Sequence, residues 1–97
     1  MAVGIFVNWP GVTVEQYEKF RPIANWENDP APGGLFHAAA IDEEGLHVFD
    51  LWESPEAFQS FLDTRILPTV PASGVTTQPE IKVIPVHDHS APGVGKK

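Results

Sequence analysis

Cysteine is absent from this 97-residue chain, and methionine and tyrosine occur once each. Without a thiol there is neither a disulfide framework nor a cysteine nucleophile, a composition that suits a reducing compartment and sets the expectation of a cytoplasmic protein. Basic residues are scarce too: six Lys and Arg against thirteen Asp and Glu give a formal charge of −7. Nucleic acids and anionic membranes are bound by clustered cations, so neither is expected as a partner. No apolar run approaches the ~20 residues that cross a bilayer, and Met1-Ala2-Val3-Gly4 lacks the basic region and apolar core of a signal peptide. Gly33-Gly34 is followed by no Lys-Ser/Thr that would make it a phosphate cradle, and there is no metal-binding helix motif, nucleophile elbow, internal repeat or low-complexity run. No cofactor and no metal are expected.

What is present is a short alternation of strands and helices. Ala2 to Trp9 is apolar and β-branched and reads as a strand, with Val3, Ile5, Val7 and Trp9 on one face. Pro10-Gly11 is a turn. Thr13 and Gln16 make a capping box for a helix beginning near Val14, with Val14, Tyr17 and Phe20 as its apolar stripe and Pro22 ending or kinking it. Asn25 to Gly34 holds two Pro and two Gly and reads as a loop. Leu35 to Ile41 and Leu46 to Trp52 read as strands joined at Asp42-Glu43-Glu44-Gly45.

The third strand runs straight into a helix. Ser54 suits the N-cap and Pro55 the first helical position, with Phe58, Phe61, Leu62 and Ile66 on one stripe. Pro68 stops or bends that helix, Val70 to Gln78 is a connection, and Glu80 to His87 is a fourth strand that Pro85 confines to an edge or bulge. The expectation is one domain over residues 1–88 and a mobile tail over 89–97. The order β-α-β-β-α-β implies an α+β, ferredoxin-like fold, with two helices on one face of a four-stranded antiparallel sheet. Both faces of the first strand are apolar, and those of the second and third nearly so. Four such strands present roughly 400 Å² per face, which usually marks a partner surface. A homodimer is expected.

This pattern, with Trp52-Glu53-Ser54-Pro55-Glu56-Ala57-Phe58 at the strand–helix junction, resembles the dimeric α/β-barrel superfamily and, within it, the antibiotic-biosynthesis-monooxygenase-like proteins. Gly34-Leu35-Phe36-His37 and Val83-Ile84-Pro85-Val86-His87 are similar to a small bacterial subgroup of it. The resemblance covers about residues 2 to 88. It implies a dimer whose sheets face each other as a barrel, a pocket in each subunit, and activities that include cofactor-independent oxygenation of polycyclic aromatics and haem degradation. Of the haem degraders' working residues, Asn8 matches the first-strand Asn. Phe61 stands where their helix Trp would be, and no His lies between Arg65 and Gly74. That departure argues against haem cleavage.

Two residues are candidates for chemistry. His37 lies among apolar neighbours, either as a satisfied core histidine or as a general acid/base at a pocket wall. Asp50 lies between Phe49 and Leu51, where a carboxylate needs a partner. If the hairpin centres on Glu43-Glu44, paired residues sum to about 87 and His37 faces Asp50; a one-residue slip would separate them. The substrate-contacting set comprises Asn8, Tyr17, Trp26, Trp52, Phe61 and His87. Tyr17 would reach the pocket rim, Trp26 would anchor its loop or close the pocket, and His87 would cap a strand or bond across the dimer. His87-Asp88-His89 offers two imidazoles, too few for a metal site.

Two functions remain open beside a third reading, a purely structural dimer with filled cores and no pocket. One is a cofactor-independent monooxygenase-like or isomerase-like enzyme acting on an apolar, aromatic or polyketide-like substrate, with His37 and Asp50 as the acid/base pair. It expects a cavity of ~300 Å³ or more beside them. The other is a non-catalytic binding protein for an apolar metabolite.

Overall fold

The computed structural model describes residues 2–25 and 28–90. Strands β1 (Val3–Pro10), β2 (Gly34–Asp42), β3 (Gly45–Trp52) and β4 (Glu80–Pro85) form one antiparallel sheet in the order β2-β3-β1-β4. Helices α1 (Val14–Ala24) and α2 (Pro55–Phe61) connect them in the expected β-α-β-β-α-β order. The fold is α+β and ferredoxin-like. Of the expected C-terminal tail, residues 91–97 lie outside the described residues.

Local chemistry sets the element ends. The capping box at α1 is closed both ways: the Gln16 amide donates to Thr13 Oγ1 at 3.2 Å and the Thr13 amide to Gln16 Oε1 at 3.1 Å. Pro22 does not end α1, because it falls in the last turn where only one ladder amide is lost. The helix stops three residues later at Asn25, whose left-handed backbone (φ 50°) lets its amide reach Arg21 O at 2.9 Å. Val14 belongs to the expected apolar stripe but is 60% exposed, since it starts the helix and turns away from the sheet. At α2 the Ala57 amide donates to Ser54 Oγ at 3.2 Å with Pro55 at the first position.

Beyond Phe61 the chain departs from expectation. It widens into a π-turn (Leu62–Ile66), tightens into a 3₁₀ turn (Leu67–Thr69) and ends in one helical turn, α3 (Val70–Ser73). Pro68 neither stops nor simply bends the helix. It sits at the start of the tight turn, where its missing amide does little harm.

The β2–β3 hairpin fixes the register on which the site depends. Asp42 Oδ1 accepts from the amides of Glu44 (2.9 Å) and Gly45 (3.3 Å), and Gly45 takes φ +136°. A Cβ on Gly45 would strike the Trp9 carbonyl and lie 2.6 Å from the Gly11 amide nitrogen. Gly45→Ala is therefore expected to destabilise the fold by at least about 1–3 kcal/mol from backbone strain alone, with the clash adding to it. A fall in the chemical-denaturation midpoint measures this, and an unchanged midpoint would contradict the close approach.

The helical layer covers one face of the sheet. One buried cluster gathers Val3, Ile5, Val7, Phe58 and Phe61 around Trp52, and a second gathers Val12, Phe20, Leu46 and Val75 around Trp9. Val48 and Ile66 touch both clusters. The other face stays open and apolar. Phe6 (42% exposed), Phe49 (38%), Leu35 and Ile84 lie on it, and Phe49 packs against Phe6 and Phe36 with ring centroids 4.9 and 6.1 Å apart. Among the described residues, no helix is long and apolar enough to cross a membrane.

Candidate functional site

On β2 and β3 the register pairs His37 with Asp50, as the sum of 87 requires. A bulge between Gly34 and Phe36 shifts the pairing only before that point. Both side chains point to the helix-covered face, and His37 Nδ1 lies 2.7 Å from Asp50 Oδ1. Asp50 is 2% exposed, and its second oxygen accepts from the Trp52 indole N–H at 3.1 Å. Trp52 stands two residues along β3, hence on the same face. From the helix above, the Tyr17 hydroxyl meets His37 Nε2 at 2.9 Å.

These contacts define a polarity. A carboxylate accepts only and the indole donates only, so the imidazole proton belongs on Nδ1, donated to Asp50. In the neutral ring Nε2 is then the acceptor for the Tyr17 O–H. The chain runs Tyr17 O–H to His37 Nε2, His37 Nδ1–H to Asp50 Oδ1, with Trp52 N–H holding Oδ2. Among the described residues no fully buried side-chain polar atom lacks a partner.

The chain borders an apolar cavity of about 80 Å³ between the two core clusters. Val7, Trp9, Phe20, Val48, Phe61 and Ile66 are among its walls, and Tyr17, His37 and Asp50 are on its polar side. Its enclosed volume is well below the ~300 Å³ expected from the sequence, because four aromatics (Trp9, Phe20, Phe58 and Phe61) fill the interior. A wider open groove of about 500 Å³ adjoins it, lined by Tyr17, Glu18, Arg21, Asn25, Asn28 and His37 among others. Tyr17, Arg21 and His37 border both spaces.

Burial holds the Tyr17 phenol above its usual 10.0, with the Asp50 and Glu18 carboxylates adding to the rise and Arg21 opposing it. Tyr17 is the only tyrosine, so phenolate absorbance reports on this group alone. The transition is expected above pH 10.0 in the folded protein and at the ordinary value once unfolded. Because the folded-state value is the higher one, the protonated phenol's contribution to stability is complete below pH 10.0 and lost as pH rises through the folded value. Ionisation at or below the ordinary value would contradict the buried, donating phenol.

The structure gathers His37, Asp50, Tyr17, Trp52 and Phe61, and separates the other residues named from the sequence. Trp52 is fully buried behind Asp50, bonded to its carboxylate, and is not among the residues lining the cavity. Asn8 lies on the open face, where its Oδ1 is 2.8 Å from His47 Nδ1, while His47 Nε2 reaches Asp42 Oδ1 at 2.9 Å. Strand parity put Asn8 opposite Val7 and away from the cavity from the outset. His87 follows β4, exposed at the rim of the open face with Phe36 and Leu51. Trp26 lies outside the described residues.

Two residues escaped the sequence reading. Arg21, one helical turn beyond Tyr17, was legible from the i, i+4 spacing. Arg65 donates to the carbonyls of Ala24 (2.8 Å) and Asp29 (2.7 Å) and lies over the Phe61 ring at 5.8 Å, tying the end of α1 to the cavity wall. Nothing in the sequence signalled that contact, which spans 41 residues.

The fold is shared with solved structures that include cofactor-independent oxygenases and proteins described as antibiotic biosynthesis monooxygenases. The chain is similar to SnoaB, a cofactor-independent oxygenase from Streptomyces nogalater (15% identity over 91% of this chain and 94% of that one, TM-score 0.62). It is also similar to the ActVA-Orf6 monooxygenase of Streptomyces coelicolor, solved with nanaomycin D (16%, 94% and 91%, TM-score 0.58). A third similar structure is the NE2512 protein of unknown function from Nitrosomonas europaea (19%, 94% and 94%, TM-score 0.67). No protein-family model matches the sequence, and no curated protein matches it at a significant level.

Proposed function

We propose that this protein is a cofactor-independent monooxygenase-like enzyme of the cytoplasm, acting as a homodimer on a planar apolar substrate with an acidic C–H or O–H. The observation that carries the reading is the polarised Tyr17–His37–Asp50 chain ending on an apolar cavity. Three similar folds alone would not carry it, because function lives in the site.

The substrate's ring enters the cavity and its remainder occupies the groove. As the Tyr17 oxygen takes the substrate's proton, it passes its own to His37 Nε2, and Asp50 stabilises the resulting imidazolium. The carbanion left behind is electron-rich enough to reduce dioxygen. Carbon–oxygen bond formation gives a peroxide anion, which recovers the proton from the chain. Loss of water leaves a carbonyl, so a CH₂ group and O₂ become C=O and H₂O with no external reductant. Apolar walls keep water from protonating the carbanion first.

The dimer reading rests on the open face. Its aromatic centre of Phe6, Phe36 and Phe49 is the kind of exposed apolar patch that a second copy covers.

Dioxygen uptake with a panel of anthrones, which carry an acidic CH₂, tests the activity. Uptake above the uncatalysed rate, lost in His37→Ala, supports it. Ligand binding without uptake, with affinity unchanged in His37→Ala, would replace it with the binding-protein reading.

A further inference from the structure

We propose that Arg21 is an anion-recognition residue that makes this site select apolar ligands bearing a negatively charged oxygen. The inference rests on the cavity and groove being one ligand site, and adds to it what the ligand's polar end must be.

The linings of the two spaces differ sharply. The inner cavity is walled by aliphatic and aromatic side chains, while the groove carries Glu18, Arg21, Asn25 and Asn28. Arg21 is the one Lys or Arg among the residues lining both, and it stands where they join, beside Tyr17 and His37. Its positive charge favours ionisation of the Tyr17 phenol, against the larger effect of burial. Arg21 also pairs with Glu18 at 3.3 Å, one turn away on the same helix, and both side chains are about half exposed. Such an exposed pair contributes little and is readily exchanged. A carboxylate or an ionised phenol or enol reaching the seam gains a planar guanidinium fork that matches its oxygens.

The arrangement also explains why a lone arginine suffices on a protein of net charge −7. Long-range attraction of an anion is absent, so recognition has to be local. The guanidinium supplies that local recognition through charge-assisted, bidentate hydrogen bonds.

Calorimetric titration of the intact protein with three probes tests this: 2-naphthoate, a nitronaphthol ionised at neutral pH, and uncharged 2-naphthalenemethanol. Wild-type protein is expected to prefer at least one anion over the alcohol by about tenfold or more. Naphthoate preferred alone identifies carboxylates as the class, and naphtholate preferred alone identifies ionised phenols or enols. Arg21→Gln is expected to abolish the preference while leaving the alcohol's affinity within about twofold, and Arg21→Lys to restore part of it. His37→Ala should retain it, so loss of oxygenase activity and loss of anion selection can fail separately. Equal affinity of wild-type protein for all three probes, no binding of any, or a preference that survives in Arg21→Gln would overturn the proposal.

Discussion

Phe49→Glu is expected to yield a folded monomer. Phe49 is at the centre of the open face, touching Phe6 on one side and Phe36 on the other. A carboxylate there would be buried without a partner in any sheet-to-sheet contact. Removing a central aromatic anchor typically costs an interface 2 kcal/mol or more, so the dissociation constant should rise by at least about 30-fold, and further for the added charge. The helical face contributes none of this, and the far-ultraviolet spectrum should be unchanged. Analytical ultracentrifugation at micromolar concentration decides the matter: a dimer for wild type and a monomer for the variant are expected. A monomeric wild type would remove the dimer from the account.

His37→Ala carries the second large effect. A positioned general acid/base contributes about 10²–10⁴-fold to rate, and kcat/KM should fall by that much on any substrate the uptake panel identifies. Asp50→Asn should come close to it, because an amide nitrogen facing Nδ1 favours the tautomer with its proton on Nε2, which cannot accept from Tyr17. The two substitutions together should cost little more than either alone, as expected for residues acting as a unit. His37→Ala also leaves the buried Asp50 with one partner fewer, so stability should drop by about 1–3 kcal/mol. A variant that loses stability yet keeps full turnover would make the pair structural only.

The His37–Asp50 pair was legible before any coordinates because a hairpin converts one turn position into a whole register. Asp42 and Gly45 fix the turn, and every facing pair follows by counting. The β3–α2 junction was equally plain, since Ser54 and Pro55 act within one turn of chain. The Tyr17–His37 bond was not readable. Helical spacing says that Tyr17 faces the sheet, but not where α1 lies across it, which depends on how Phe20 and Trp9 pack at a centroid distance of 5.6 Å. Asn8 lies away from the cavity because its parity on β1 sets it on the face opposite Val7. The run from Leu62 to Ser73 escaped because π, 3₁₀ and α turns differ by one residue in hydrogen-bond register, below what a stripe of apolar residues encodes. The cavity volume escaped because the aromatics that suggested a ligand also fill the space.

The proposed chemistry depends on the direction of the proton chain through His37. Nitrogen-15 NMR of the imidazole, assigned with His37→Ala, reads that direction without a substrate. The expected spectrum shows a protonated Nδ1 and a bare, hydrogen-bonded Nε2. A ring protonated at Nε2 with Nδ1 bare would mean that Tyr17 cannot hand its proton inward, and the proposed chemistry would have no base.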